Sequence, residues 1–351
     1  MSDQAEVLFE VKGGIGHIVL NRPKALNALT LPMVRAIAPA IEAWAGAPAV
    51  KAVAISGAGD RAFCAGGDVA EIYRRKMQGD LALGRDFFRE EYIVNRAIFR
   101  FPKPWIALLD GITMGGGVGL SVHGRFRVAT ERFMFAMPET GIGLFPDVGG
   151  GHFLPRLPGQ LGMYLALTGQ RLKAADALYC GVATHFVPSE RIGALTGALE
   201  ALDAGSDAAV EAALAKFEGD AGAATLPAHR AAIDRHFSAD SVEEIVASLA
   251  ADGSEWAART AASLARLSPT SMKVTFRQIR QGASMEFEDI MTMEYRLSQG
   301  CMAGHDFYEG VRAVLIDKDN APKWLPPTLA DVGEDVVARH FAPVGNDLSF
   351  K

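Results

Sequence analysis

The sequence has few cysteines and no basic, apolar leader. Its 351 residues contain only three cysteines, Cys64, Cys180 and Cys301. This small, odd number argues against a disulfide framework and favours a reducing compartment. The first residues, MSDQAEVLFEV, are acidic and lack the basic start and apolar stretch of a targeting peptide. We therefore predict a cytoplasmic protein.

The sequence also lacks an excess of positive charge, a long apolar run and clustered metal ligands. Its formal net charge is −6, so no overall positive field would attract nucleic acid. No apolar run approaches the roughly 20 residues that a membrane-spanning helix needs. None of the eight histidines falls in a pattern with metal-ligand spacing. We expect no nucleic-acid partner, no membrane partner and no bound metal.

The apolar content and its distribution predict a large mixed fold. Apolar residues make up 49% of the chain, which is enough for a sizeable core. Strand-like and helix-like stretches alternate up to about residue 190, which predicts an α/β core domain at residues 1–190. The remaining sequence is rich in alanine and charged helix formers, and predicts a helical C-terminal part at residues 191–351. The low-complexity segment 204–224 is interpreted as a surface helix or a connection.

Three stretches in the first third of the chain give local predictions. Apolar residues 7–11 and 17–20, separated by glycines, predict a β-hairpin. Thr30 precedes apolar residues at helical spacing and is expected to cap an amphipathic helix. Helical spacing also predicts a helix over residues 86–101, which Pro102 ends.

Two glycine-rich loops have the same context: CAGGD at residues 64–68 and MGGGV at residues 114–118. Both follow a predicted strand and precede a predicted helix. Glycine in a helical turn costs roughly 1 kcal/mol relative to alanine, so such runs indicate that the backbone approaches a ligand closely. Two loops of this kind are able to direct two backbone N–H groups at one oxygen atom, as an oxyanion hole requires. For each loop alone, a tight turn between a strand and a helix is the favoured interpretation. The two loops together with the carboxylates of Glu139 and Asp147 favour the oxyanion hole.

Two common glycine motifs are absent from the second loop. Leu120 stands where a dinucleotide-binding G-x-G-x-x-G motif needs its last glycine. His123 stands where the G-x-S-x-G motif of serine hydrolases needs a glycine, so Ser121 is interpreted as a helix residue. Cys64 is interpreted as a small buried thiol rather than as a nucleophile.

Glu139 and Asp147 lie eight residues apart in a loop that is rich in glycine and proline and has mostly apolar neighbours. Carboxylates in apolar surroundings have shifted pKa values and are typical of active sites. The pair is suited to supply a nucleophile or general base and a group that orients the substrate. Alternatively, Glu139 starts a helix or pairs with Arg132, and Asp147 caps the turns that follow it.

Several strings along the chain match one known family. The most discriminating is ETGIGLFPDVGGG, and the others are NRPKALNALT, AFCAGGD, REEY, GITMGGGVGLS, ADALYCGVATHFVP, SPTSMKVT, MEYRLSQGCM and GHDFYEGVRAVLIDKDNAPKW. On these strings, which extend over nearly the whole chain, the sequence resembles the crotonase (enoyl-CoA hydratase/isomerase) superfamily. The resemblance implies a crotonase-like (ClpP/crotonase) α/β fold, a spiral of strand-strand-helix units with a helical C-terminal part.

The resemblance also implies a role for each matching residue. The backbone N–H groups of Gly67 and Gly116 are expected to hold a thioester oxygen. Glu139 matches the catalytic carboxylate, and Asp147 matches the second acidic residue of the family's hydrolase branch. Glu91 in REEY matches a substrate-contacting glutamate of that branch. The positions expected to border the CoA moiety are Arg22, Lys24, Ala25, Ala65, Gly67 and Asp68.

The implied reaction is hydrolysis of the thioester of a short branched 3-hydroxyacyl-CoA, a step of valine breakdown. An enoyl-CoA hydratase or isomerase is the first alternative. Gly119 weakens it, because hydratases of the family carry a second glutamate at this position. A non-catalytic protein that binds CoA esters is the second alternative. CoA enters as part of the acyl-CoA substrate, so no cofactor is expected. The family further implies a homo-oligomer, a trimer or a multiple of one.

Overall fold

The computed structural model describes residues 5–202 and 205–350. These residues fall into two compact units, and each unit is assembled from separate stretches of the chain. The first unit comprises the residues up to Gly67, Ile93–Phe135 and Arg171–Leu226. The second comprises Asp68–Tyr92, Ala136–Gln170 and the residues from Pro227. The domain boundary at residue 190, which rests on composition, stays a prediction.

The strands of the described residues form two sheets. They are β1 (Val7–Lys12), β2 (Ile15–Leu20), β3 (Ala52–Gly57), β4 (Ala62–Cys64), β5 (Trp105–Leu109), β6 (Ile112–Met114), β7 (Phe126–Ala129), β8 (Met134–Ala136) and β9 (His185–Phe186). The larger sheet has the order β1-β2-β3-β5-β7-β9, and the smaller has the order β4-β6-β8. β1 and β2 are antiparallel, whereas the other neighbours in the larger sheet are parallel. The predicted α/β class is therefore confirmed.

The first two strands form the predicted hairpin, in which Lys12 lies opposite Ile15. Gly13 and Gly14 form its two-residue turn, with φ angles of +57° and +89°. Two successive residues with positive φ give a turn whose twist matches that of the paired strands, and glycine adopts this backbone without strain.

The hydrophobic core of the first unit lies on one face of the larger sheet, where alternate strand residues are buried. Its side chains are Ile15, Ala52, Ala54, Ile106, Leu108, Phe126, Val128, Val187, Leu195, Leu199, Val210, Ala213 and Leu214. The last five come from the helices Ile192–Glu200 and Asp207–Leu214, which cover the sheet. The segment 204–224 thus contains a surface helix, one of its two predicted interpretations, and the buried face of this helix joins the core. Residue 204 lies outside the described residues.

The other α-helices of the first unit are Leu31–Gly46, Gly116–Ser121 and Ala174–Cys180, and 3-10 helices lie at Pro23–Ala25 and Ser189–Arg191. Thr30 caps the first of these helices as predicted. Its hydroxyl oxygen accepts a hydrogen bond from the N–H group of Met33 at 3.2 Å. Ile37 and Ile41, one turn apart on the same helix, are buried.

The second unit is built mainly from helices. Its α-helices are Val69–Met77, Gly150–Phe153, Leu161–Thr168, Arg230–His236, Val242–Asp252, Glu255–Leu264, Pro269–Gly282, Phe287–Ala303, Asp306–Val311 and Glu334–Phe341. Its 3-10 helices are Glu139–Ile142, Leu154–Arg156 and Leu329–Asp331, and Arg312–Ile316 forms a π-helical turn. The helix Ala82–Phe99 and the 3-10 helix Leu226–His229 each contribute residues to both units.

Two features of the helices bear on the predictions. The helix predicted over residues 86–101 starts earlier, at Ala82, because the carboxylate of Asp80 accepts a hydrogen bond from the Ala82 N–H group at 2.9 Å. No strand follows Phe186 within the described ranges, so the predicted helical C-terminal part is confirmed. No helix among these residues has the length and apolar character required to cross a bilayer.

Candidate functional site

In the first unit, the two glycine loops lie side by side after the neighbouring parallel strands β4 and β6. A Cβ atom at Gly66 would lie 3.6 Å from the carbonyl oxygen of Met114. A Cβ atom at Gly117 would lie 2.4 Å from the carbonyl oxygen of Cys64. The second distance leaves no room for a side chain, so backbone packing requires glycine at position 117.

The two predicted N–H donors occupy comparable places in these loops. Gly116 is the first residue of a helix whose N-cap, Gly115, has a φ of +44°. The first N–H groups of a helix have no partner within the helix, which suits the N–H group of Gly116 to a ligand. Gly67 follows Gly66, whose φ of +116° is accessible mainly to glycine. The oxyanion role of the two N–H groups stays a prediction.

The predicted CoA-binding segment around Lys24 lies against the first glycine loop. The N–H group of Ala65 donates to the carbonyl oxygen of Leu26 at 3.0 Å. The N–H group of Leu29 donates to the carbonyl oxygen of Gly66 at 2.8 Å. The structure therefore brings together the two stretches of this unit that are predicted to border CoA.

The charged residues predicted to contact CoA differ in their surroundings. Nε of Arg22 pairs with the carboxylate of Glu6 at 3.0 Å. Lys24 is exposed, on the 3-10 helix that also holds Ala25. Asp68 caps the following helix, and its carboxylate accepts a hydrogen bond from the N–H group of Glu71 at 3.3 Å. Their contacts with CoA stay predictions.

In the second unit, Glu91, Glu139 and Asp147 form one carboxyl cluster. Their exposed fractions are only 2%, 5% and 4%. Oε1 of Glu91 and Oε2 of Glu139 have no hydrogen-bond partner among the described residues. A buried polar atom without a partner is costly, so native structures keep such atoms mainly where a ligand or an ordered water binds. The cluster therefore has the character of a ligand site.

Burial raises the pKa values of all three carboxyl groups because it disfavours their charged forms. For Glu91, burial acts together with the charges of Asp147 and Glu139 and raises the pKa well above its usual value. Burial and then the charge of Asp147 raise the pKa of Glu139 well above its usual value. Burial raises the pKa of Asp147 to about 7. The three groups titrate as one coupled system and do not all carry a charge at neutral pH.

Tyr92 distinguishes Asp147 from the other two carboxyl groups. The phenol is fully buried, and its hydroxyl donates a hydrogen bond to Oδ2 of Asp147 at 2.9 Å. This bond lowers the pKa of Asp147 and so opposes the larger effect of burial. A donor that favours the charged form makes Asp147 the member of the cluster best suited to hold a negative charge.

Tyr92 and Glu294 also lie at this cluster, and neither is among the site residues predicted from the sequence. Tyr92 directly follows Glu91 in REEY, but nothing in the sequence indicates its partner. Glu294 is fully buried, and burial raises its pKa to about 8. Ile290 and Leu297, at helical spacing on either side of Glu294, are also buried. That spacing was the available signal, because it places Glu294 on the apolar face of its helix.

The structure also tests the interpretations of Cys64, Ser121 and Arg132. Cys64 is a buried thiol outside any disulfide, as predicted. Ser121 is a helix residue, as predicted, and its hydroxyl donates to the carbonyl oxygen of Gly117 at 2.9 Å. Arg132 pairs with Asp110 at 2.6 Å. No group of three or more His, Cys, Asp or Glu side chains in the described ranges is arranged to hold a metal ion.

Comparisons with known proteins agree on one family. A family model described as enoyl-CoA hydratase/isomerase matches residues 15–341. The chain is 57% identical over 349 residues to the mitochondrial 3-hydroxyisobutyryl-CoA hydrolase of Danio rerio, covering 97% of this chain and 91% of that protein. It is 53% identical over 346 residues to the protein of the same name from Xenopus tropicalis, covering 97% and 90%.

A solved structure extends the likeness to the fold. The crystal structure of a carnitinyl-CoA dehydratase from Mycobacterium thermoresistibile matches with a TM-score of 0.93 and 43% sequence identity. The match covers 99% of both chains.

The names of the relatives contradict the predicted cytoplasmic location, because both are named mitochondrial. Three buried cysteines that form no disulfide fit any reducing compartment, so cysteine usage does not distinguish the cytoplasm from an organelle. The prediction of a cytoplasmic protein is therefore wrong.

Proposed function

Because the chain belongs to the enoyl-CoA hydratase/isomerase family, we propose that it hydrolyses the thioester of 3-hydroxyisobutyryl-CoA. The products are the free acid and CoA, and the reaction is a step of valine breakdown. The predicted family resemblance and crotonase-like fold are confirmed by the family match and the structural likeness. The names of the relatives support the choice of substrate.

The observation that carries this proposal is the buried pair of Glu139 and Asp147 together with Gly119 in place of a second acid. Hydration needs acid and base groups at the C2–C3 bond, whereas hydrolysis needs attack at the thioester carbon. Gly119 is buried and offers no acid or base. A carboxyl pair without that second glutamate suits attack at the thioester carbon.

The N–H groups of Gly67 and Gly116 are assigned to the thioester oxygen. Negative charge develops on this oxygen as the carbonyl carbon becomes tetrahedral. Fixed backbone donors stabilise that charge without reorganisation, and losing one typically costs about 3 to 4 kcal/mol of transition-state stabilisation. The support for the assignment is the side-by-side placement of the two glycine loops.

Glu139 is assigned to the chemical step in its ionised form. As a nucleophile, its carboxylate displaces the CoA thiolate to form a mixed anhydride, which water then cleaves to release the acid and regenerate Glu139. As a general base, it takes a proton from water while the water oxygen attacks the thioester carbon. Both routes consume one water and release one CoA thiol. Detection of an acylated Glu139 peptide after rapid quenching distinguishes the first route from the second.

Asp147 and Glu91 are assigned to the 3-hydroxyl group and to the ordering of water. An ionised Asp147 accepts a hydrogen bond from the 3-hydroxyl, and a protonated Glu91 donates one. The raised pKa of Glu91 and the hydrogen bond from Tyr92 to Asp147 support this division of roles.

Release of CoA thiol from 3-hydroxyisobutyryl-CoA tests the proposal. Wild-type protein is expected to release thiol catalytically, and Glu139→Gln to lose about 10²- to 10⁴-fold in kcat while substrate binding persists. Thiol release at the wild-type rate by Glu139→Gln would remove Glu139 from the reaction. The absence of release by the wild type would instead favour a non-catalytic CoA-ester-binding protein.

A hydratase or dehydratase is the second candidate, because the solved structure with the high TM-score is titled a carnitinyl-CoA dehydratase. Gly119 weighs against this candidate, since the usual hydratase mechanism uses a second glutamate at that position. The two candidates differ in product, because only the hydrolase releases a thiol.

A homo-oligomer, a trimer or a multiple of one, is part of the proposal. The edge strand β1 supports association, because its apolar side chains Leu8, Phe9 and Val11 are 45%, 39% and 47% exposed. Exposed apolar side chains on a sheet edge are typical of surfaces that become covered. Light scattering after size-exclusion chromatography measures the mass, and a monomeric mass would contradict this part.

A further inference from the structure

The loop that carries Asp147 has an unusual backbone. Val148, the next residue, is fully buried and has a φ of +52°. A β-branched residue rarely adopts a left-handed backbone, because its Cβ atom crowds the adjacent carbonyl group. Such a conformation persists only where the surroundings determine it. The contacts on either side of Val148 must therefore hold the loop in this conformation.

Glu294 holds the part of the loop that follows Val148. Its Oε2 atom accepts a hydrogen bond from the N–H group of Gly149 at 2.7 Å, and its Oε1 atom accepts one from the N–H group of Gly151 at 2.8 Å. Glu294 lies 145 residues away from Gly149 along the chain. One carboxyl group thus binds two backbone amides of the loop from a different helix.

Gln278 holds the part of the loop that precedes Asp147. Its side-chain amide donates to the carbonyl oxygen of Pro146 at 2.7 Å and to Oε1 of Glu294 at 3.1 Å. The backbone on both sides of Asp147 is therefore bound by two side chains that also contact each other.

The backbone packs closely at this point. A Cβ atom at Gly151 would lie 3.1 Å from Oε1 of Glu294, and one at Gly282 would lie 2.0 Å from the carbonyl oxygen of Gly151. The second distance leaves no room for a side chain at position 282, so the helix that carries Gln278 lies directly against the loop backbone.

We propose that Glu294 is a positioning residue, which fixes the Asp147 loop, with Gln278 as its partner, so that the Asp147 carboxylate meets the 3-hydroxyl group of the substrate. The proposal rests on the proposed thioester hydrolysis. Three donors, the N–H groups of Gly149 and Gly151 and the amide of Gln278, point at the two oxygens of Glu294. These donors favour the ionised form of Glu294 and so oppose the effect of burial on its pKa. An amide in place of the carboxyl group would direct its own N–H group at one of the donors.

The test uses Glu294→Gln in the full-length protein. The amide that replaces one oxygen would face an N–H donor, so the loop should shift while the size of the side chain is kept. We expect kcat for 3-hydroxyisobutyryl-CoA to fall about 10- to 100-fold, because a displacement of about 1 Å has an effect of this size. KM should change little, since none of the residues predicted to border CoA belongs to this loop.

A double-mutant cycle separates positioning from general destabilisation. In an Asp147→Asn background, Glu294→Gln should cost less than about threefold, because the group that it positions is already lost. Ser298→Ala is the matched control: Ser298 is buried one turn along the same helix, and its hydroxyl donates to the carbonyl oxygen of Tyr295. This control is expected to keep wild-type kcat. A full, additive loss in the double variant would overturn the proposal.

Amide hydrogen exchange of the peptide that contains residues 148–151 gives a readout without catalysis. Exchange should accelerate in Glu294→Gln and stay slow in Ser298→Ala. Unchanged exchange in Glu294→Gln would overturn the proposal, whereas a wild type that releases no thiol would overturn only the proposed function.

If Glu294→Gln does not fold, Gln278→Met is the second variant, which removes the hydrogen bond to Pro146 at similar volume. It should accelerate exchange in the same peptide, and unchanged exchange would again contradict the proposal.

Discussion

The hydroxyl of Tyr92 donates a hydrogen bond to Oδ2 of Asp147 at 2.9 Å, and both side chains are buried. The bond joins a helix to a glycine-rich loop 55 residues later in the chain. It favours the ionised form of Asp147, whereas burial favours the protonated form. The charge of Asp147 thus depends on the hydrogen bond from Tyr92.

Tyr92→Phe is expected to shift the pH dependence of the reaction. Burial holds the pKa of Asp147 at about 7 in the presence of the Tyr92 bond, so loss of the bond should raise this pKa further. Activity below neutral pH should fall, and the acid limb of the kcat/KM profile should move to higher pH. The loss at low pH should be about tenfold or more, the size expected for a hydrogen bond to a charged group. An acid limb that stays in place or moves to lower pH would show that Asp147 does not need its charge.

Glu139→Gln is expected to stabilise the fold increasingly as the pH rises. Burial raises the pKa of Glu139 above its value in the unfolded chain, so the folded state binds this proton more tightly. Its contribution to stability is fully present below the unfolded pKa and is lost as the pH rises through the folded pKa. Glutamine does not ionise, so the variant does not lose stability in this way as the pH rises. The difference in free energy of unfolding between variant and wild type should therefore be larger at pH 8 than at pH 5.

Glu309→Gln is the control for this stability measurement. The hydrogen bonds from Arg312 lower the pKa of Glu309 to about 2, so its contribution is constant between pH 5 and pH 8. The variant should be less stable than the wild type by a similar amount at both pH values. If Glu139→Gln also shows no dependence on pH, the raised pKa of Glu139 is refuted.

The buried carboxyl cluster is expected to reject acyl groups that carry a carboxylate. Methylmalonyl-CoA matches 3-hydroxyisobutyryl-CoA in shape, with a carboxylate in place of the hydroxymethyl group. Placing like charges together in a buried site costs several kcal/mol. The kcat/KM for methylmalonyl-CoA should therefore be lower by at least about a hundredfold, measured by thiol release. Comparable rates for the two esters would mean that Asp147 and Glu91 do not face the acyl group.

Local sequence patterns predicted the parts of the molecule that local interactions determine. The hairpin at Gly13 and Gly14, the cap at Thr30 and the glycine loops all depend on backbone geometry within a few residues. The glycine-rich, apolar context of Glu139 and Asp147 indicated these two carboxyl residues, and the family strings added Glu91. The roles of these residues stay predictions.

The remaining features depend on contacts that no local pattern encodes. Glu294 binds the Asp147 loop across more than 140 residues of sequence. The two compact units are each assembled from separate stretches, so a composition change along the chain does not reveal them. The alanine-rich segment 204–224 gives a weak apolar pattern, which left a surface helix and a connection as alternatives and did not identify Val210 and Leu214 as core residues.

The proposed hydrolase function requires that the protein hydrolyse its thioester substrate faster than it hydrates an enoyl-CoA. One measurement compares wild-type kcat/KM for thiol release from 3-hydroxyisobutyryl-CoA with kcat/KM for water addition to crotonyl-CoA, followed by the loss of enoyl absorbance. With Gly119 in place of a second acid, thiol release should be rapid and hydration slow. If crotonyl-CoA hydration is the faster reaction, the hydrolase assignment is contradicted and the protein is a hydratase that works with Glu139 alone.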